Sequence, residues 1–88
     1  MTNLSLGKID IIQIDVTEDK LQAEVIMEDK GVFMVMLSSR TGDVLHKRFV
    51  QFEGGENLLH LPISDLKKGH YVLSLLKGNH TARRYFSH

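Results

Sequence analysis

The chain has 88 residues, the length of one domain, and can bury somewhat over ~60% of its unfolded surface around a single core. Hydrophobic residues make up 42% and charged residues 25%, a globular balance that excludes a disordered tail or a fibrous repeat, and the lack of Cys excludes disulfides and thiolate metal sites. The net charge of zero argues against a nucleic-acid-binding domain, which is normally basic.

In chain order, Met1 to Lys8 lack the basic start and apolar stretch of a signal peptide, and no window reaches the ~18 apolar residues of a membrane helix. The expectation is a soluble single domain over residues 1–88 without membrane insertion. It would be cytoplasmic if Met1 is the native start, and secreted or cell-surface if the chain is a fragment of a larger protein. Lys8 to Val16 is a β-branched run whose apolar phase shifts between Ile11 and Ile12, as a bulge or a strand shared between two sheets would produce. After a polar turn from Thr17 to Lys20, Leu21, Ala23, Val25 and Met27 alternate with polar residues, the period of a half-buried strand. Asp29-Lys30-Gly31 reads as a hairpin with Gly in the left-handed position.

Val32 to Leu37 is unbroken apolar sequence, which predicts a strand in the middle of a sheet, covered on both faces. Ser39 to Asp43 turns the chain into a strand from Val44 to Phe52 whose early part faces water. Glu53 to Asn57 is a loop, and Leu58 to Ile63 a short strand that Pro62 places at an edge or a strand end. Ser64 to Lys68 is a connection with a short helical turn. Tyr71, Leu73 and Leu75 mark a strong strand, Gly78-Asn79 a two-residue hairpin, and Thr81 to Phe86 the last strand.

Glycines punctuate these runs at Gly7, Gly31, Gly42, Gly54, Gly55, Gly69 and Gly78. The result is an all-β chain of about seven short strands, read as an immunoglobulin-like antiparallel β-sandwich; a small oligonucleotide-binding or SH3-like barrel is the competing architecture. The corner Asp65 to Tyr71 favours the sandwich. A Tyr at that place in such folds bonds its hydroxyl back to upstream backbone, and Leu73 stands where an antibody domain has its second Cys.

Charge divides along the chain. Residues 1–29 hold seven acids against two bases, and residues 30–88 hold nine bases against four acids. Acidic and basic strands are expected to lie as neighbours and pair across a sheet. The alternative is a dipolar surface that steers a charged partner or drives head-to-tail association.

No chemistry is legible in the motifs. His46, His60, His70, His80 and His88 have no spacing that sets two imidazoles on one local face, so no metal site and no cofactor is expected. There is no nucleophile elbow and no phosphate loop, and Gly54-Gly55 reads as a turn. Lys77, Arg83, Arg84, Tyr85 and Phe86 form a basic and aromatic C-terminal patch, read as the solvated face of a final strand.

From Val32 to Phe86 the sequence resembles the C-terminal sorting domains of the type IX secretion system of Bacteroidetes. The likeness rests on Ser38 to Leu45, on Gly55 to Leu61, on Leu66-Lys67-Lys68-Gly69-His70-Tyr71-Val72-Leu73 and on Arg83-Arg84-Tyr85-Phe86. The Asn-Pro element that often opens such domains is missing from Met1 to Asp15. The resemblance implies a sandwich fold. It also implies that Gly69, Tyr71, Arg83 and Arg84 would meet a protein partner such as the secretion machinery, with the last strand offered to it. The expected function is a non-enzymatic protein-recognition module that binds through a sheet edge or the basic last strand. The alternative is a freestanding intracellular domain that acts by self-association or as an assembly subunit.

Overall fold

The structure is a computed structural model that describes residues 8–88. Gly7, read as a turn, lies outside the described residues. Seven antiparallel strands follow one another: β1 (Ile9–Val16), β2 (Lys20–Met27), β3 (Gly31–Ser39), β4 (Val44–Phe52), β5 (Gly55–Pro62), β6 (His70–Lys77) and β7 (His80–Ser87). They form two sheets of order β1-β2-β5 and β4-β3-β6-β7, which is a β-sandwich. Leu21, Ala23, Val25 and Met27 from β2 face Phe33, Val35, Leu37, Leu73 and Leu75 from β3 and β6 in one buried core, as the period-two reading of those strands requires.

The phase shift in β1 is a bulge. Ile11 pairs with Val25 and Gln13 with Glu24, so Ile12 is the extra residue and turns outward while Ile11 stays in the core. The bulge absorbs the shift within one sheet, and among the described strands β1 forms its ladder with β2 alone, so this strand is not shared between sheets.

Asp29-Lys30-Gly31 is not a hairpin, because β2 and β3 belong to different sheets. The Glu28 N–H instead continues the ladder by donating to the Lys8 carbonyl at 3.0 Å, and the chain then crosses the sandwich. Left-handed backbone occurs at Gly42, Gly55 and Gly78 and not at Gly31. What Gly31 provides is space: a Cβ there would collide with the Lys77 ammonium, which sits 5.4 Å from the centre of the Phe33 ring.

β3 does occupy the middle of its sheet, but it is covered on one face only. Phe33, Val35 and Leu37 are buried, whereas Val32 is exposed and Met34 and Met36 are half-buried, because none of the described residues forms a further layer outside this sheet. β5 begins two residues before Asn57, earlier than its composition suggests. The Asn57 amide donates to the Glu53 carbonyl at 2.8 Å and accepts from the Glu53 N–H at 3.0 Å, which closes the crossing from β4 in fewer residues than a free loop would take. Pro62 ends β5, an edge strand, where a missing donor is tolerated. Ser64 to Lys68 holds one turn, with the Leu66 N–H on the Ile63 carbonyl, and no helix.

Charge is also arranged differently from the expected cross-strand pairing. The sheet of β1, β2 and β5 carries Asp10, Asp15, Glu24 and Glu56 against the single base Lys20. The strands β3, β4, β6 and β7 carry Lys47, Arg48, Lys77, Arg83 and Arg84 and no Asp or Glu. The division along the sequence thus becomes a division between the two layers of the sandwich.

Candidate interaction surface

Residues paired directly across a ladder share a face, so the register defines the outer surface of the four-stranded sheet. Met34 pairs with Phe49 and Leu76, Met36 with Lys47 and Ser74, Ser74 with Arg83, and Val72 with Tyr85. These residues point away from the core. Phe49 is 68% exposed and Tyr85 73% exposed, large values for rings on a sheet face. Between them lie Met34, Met36, Val72 and Leu76, all half-buried, and Ser74, whose 4% exposure reflects the larger side chains around it. Four strands ~4.8 Å apart and about eight residues long give this whole face, apolar and polar residues together, roughly 500 Å² of projected area. Lys47 and Arg83 are the formal charges that the register places within it.

The outer surface of the three-stranded sheet has the opposite sign. Asp10 pairs with Ile26, Gln13 with Glu24, and Asp15 with Gln22; Leu58 lies opposite Glu24 and Glu56 opposite Ile26. Lys20, near Pro62 at one end, is the one base in these strands. At the middle, the bulged Ile12, Ile26 and Leu58 line an open groove of about 300 Å³ walled by Glu24 and Glu56.

The four positions singled out by sequence resemblance occupy distinct settings. Gly69 exchanges backbone hydrogen bonds with His88, fixing the C-terminus to the start of β6. Tyr71 is buried, stacks on Phe86 at 5.8 Å and donates its hydroxyl to the Lys67 carbonyl at 2.5 Å, the corner foreseen from its sequence context. Arg84 pairs with the inward-facing Leu73, and its guanidinium donates to the Ile11 carbonyl in the opposite sheet. Arg83, one residue earlier, points outward beside Ser74. These four residues therefore do not converge on one surface.

The histidines are dispersed as well. His46 lies 3.4 Å from Asp65, and His70 lies 3.0 Å from the Ser87 hydroxyl. Among the described residues no three His, Cys, Asp or Glu side chains are grouped closely enough to hold a metal ion. Sequence reasoning missed Met34, Met36 and Phe49 as surface residues, whereas Tyr85 is exposed as its reading in a solvated last strand requires. The signal available was the apolar run of β3, which was read as burial on two sides rather than burial on one and an apolar exterior on the other.

Fold and register together define an immunoglobulin-like β-sandwich with one acidic and one basic, apolar exterior face. No protein-family model matches the sequence, and comparison with curated proteins finds no match. Among solved structures the chain is similar to a beta-glucosidase from Kluyveromyces marxianus in complex with glucose, with 17% identity and a TM-score of 0.61 over 93% of this chain. It is similar also to a selenomethionine-labelled beta-glucosidase from the same yeast, with 18% identity and a TM-score of 0.62. The chain spans about 14% of the length of those proteins, and at this identity the likeness speaks to the fold alone.

Proposed function

We propose that the chain is a non-enzymatic protein-recognition module, resembling a secretion sorting domain, whose contact surface is the outer face of the sheet β4-β3-β6-β7. The observation that carries this reading is the row of Met34, Met36, Phe49, Val72, Leu76 and Tyr85, which no other described residues cover as a layer, flanked by Lys47 and Arg83. Exposed aromatics and methionines around few charges form the composition of an interface centre, and Met adapts its shape to a partner at low cost. The last strand contributes through Arg83 and Tyr85. Arg84 serves the sandwich itself, and Tyr71 shapes the corner from which β6 starts.

A photoreactive residue placed at position 49 tests this reading in the cell that encodes the protein, with position 68, exposed in the connection between β5 and β6 and on neither sheet face, as the reference. A discrete protein adduct from position 49 that is lost in the Tyr85→Ser background is expected. Adducts of equal yield from both positions, or none from position 49, would overturn the assignment of the surface.

A further inference from the structure

Both exterior faces have an apolar centre and charged flanks, and their signs are opposite. On β4, Lys47 and Phe49 project from one face two residues apart, about 6.6 Å along the strand. On β5, Glu56 and Leu58 project from the opposite exterior with the same two-residue spacing, and Glu24 lies directly across from Leu58. The exposed Phe49 ring stands proud of its sheet. The open groove between Ile12, Ile26 and Leu58, of about 300 Å³, is larger than the ~150 Å³ apolar cavity that takes a benzene ring, so it has room for one aromatic ring.

From this complementarity we infer that the partner of the basic face is a second copy of the chain, which presents the acid-walled groove on its β1-β2-β5 sheet. Phe49 of one copy enters the groove of the next, and Lys47 and Arg83 face Glu24 and Glu56. The inference rests on the reading that the outer face of the four-stranded sheet is the recognition surface, and it names what covers that surface. Because the two patches lie on opposite sides of one sandwich, the contact is heterologous and does not close on itself, so copies add head to tail. The three-stranded face limits the contact to roughly 400 Å² per partner, below the ~800 Å² of a standard interface, which makes the association weak and reversible. Its charged flanks make it sensitive to salt.

Sedimentation of the full chain over a dilution series tests the inference, at about 0.02 M and about 0.5 M salt. At low salt the weight-average mass is expected to rise with concentration above the 10.0 kDa of one chain, and at high salt to fall back toward it. Phe49→Ser and Leu58→Ser each remove one side of the contact at an exposed position, so both variants fold and both sediment as monomers. Mixed in equal amounts they form a one-to-one complex that grows no further, because one retains the groove and the other retains the ring. A wild-type chain that stays monomeric at millimolar concentration, or a mixture that sediments as two monomers, overturns the inference. If a monomeric wild-type chain still crosslinks from position 49 to a different protein, the second copy is excluded and the recognition surface stands. If it is monomeric and does not crosslink, both are excluded.

Discussion

Arg84 and Ile11 lie in different sheets, and the Arg84 guanidinium donates to the Ile11 main-chain carbonyl across the open side of the sandwich between β7 and β1. The other open side is closed in the same way. Arg48, inward-facing on β4, donates to the His60 carbonyl of β5 at 2.8 Å. Each edge strand of the larger sheet thus turns a cation inward and attaches it to the edge strand of the smaller sheet. Inward charges at sheet edges also hinder further strands from adding there, which leaves the sheet faces as the surfaces open to partners. Replacing Arg84 with Ala is expected to lower stability by about 1 kcal/mol, a fall of roughly 4–8 °C in Tm for a domain of this size. Arg83→Ala should change stability by less than about 0.5 kcal/mol. Thermal unfolding of the two variants separates them, and equal effects would remove the distinction drawn between these adjacent arginines.

The Tyr71 hydroxyl and the Lys67 carbonyl, 2.5 Å apart, hold the entry to β6. Tyr71→Phe keeps the ring on Phe86 and removes that bond, with an expected loss of about 1 kcal/mol in urea unfolding and an unchanged m-value. Tyr71→Ala also empties part of the packed corner and should cost about 3 kcal/mol. A Tyr71→Phe protein as stable as the wild type would show that the corner does not depend on the hydroxyl.

Gly31 and Gly78 are both small for different reasons. Gly78 has a φ of +59° in the two-residue turn between β6 and β7, so Gly78→Ala should cost about 1 kcal/mol even though no atom crowds the new methyl. Gly31→Ala pushes aside the flexible end of Lys77 and weakens its contact with Phe33, for about 0.5 kcal/mol. In a Lys77→Ala background the Gly31→Ala change should cost nothing further. A double-mutant cycle by denaturant unfolding measures this coupling, and a cost unchanged in that background would contradict it.

Phe49 lies outside the core, so Phe49→Ser should leave unfolding midpoints within about 0.5 kcal/mol of the wild type. Phe33→Ser, on the buried face of the neighbouring strand, should cost several kcal/mol because it opens a cavity and buries a hydroxyl. Comparing the two by urea denaturation checks which face of the sheet carries the core.

Much of this architecture could be read from the chain because the signals were local. The alternation in β2, the Gly78-Asn79 turn, the phase slip at Ile11 and Ile12 and the Tyr71 corner each reside in a few consecutive residues, and each has its counterpart in the folded chain. Sheet membership is not a local property. The turn chemistry of Asp29-Lys30-Gly31 fits a hairpin as well as a crossing, and only the pairing of β2 with β5 and of β3 with β6 decides between them. The same limit applied to charge: the uneven division was plain in the sequence, but whether it paired within a sheet or separated between layers depended on strand order. The exposed face stayed hidden for a related reason, since an apolar run on a middle strand reads alike whether its second face meets a helix, a partner or water.

The central claim is that the apolar face of the four-stranded sheet is a contact surface whose partner is the acid-walled face of another copy. The most direct measurement is a dilution series of the full chain at low salt, followed amide by amide in nitrogen-edited NMR spectra. The account predicts that concentration-dependent shifts concentrate in two groups, one at Met34, Met36, Lys47, Phe49 and Arg83 and the other at Ile12, Glu24, Ile26, Glu56 and Leu58, and that added salt reverses both. Shifts confined to the ladder edges of β4 and β5, or spectra that do not change over the series, would contradict it.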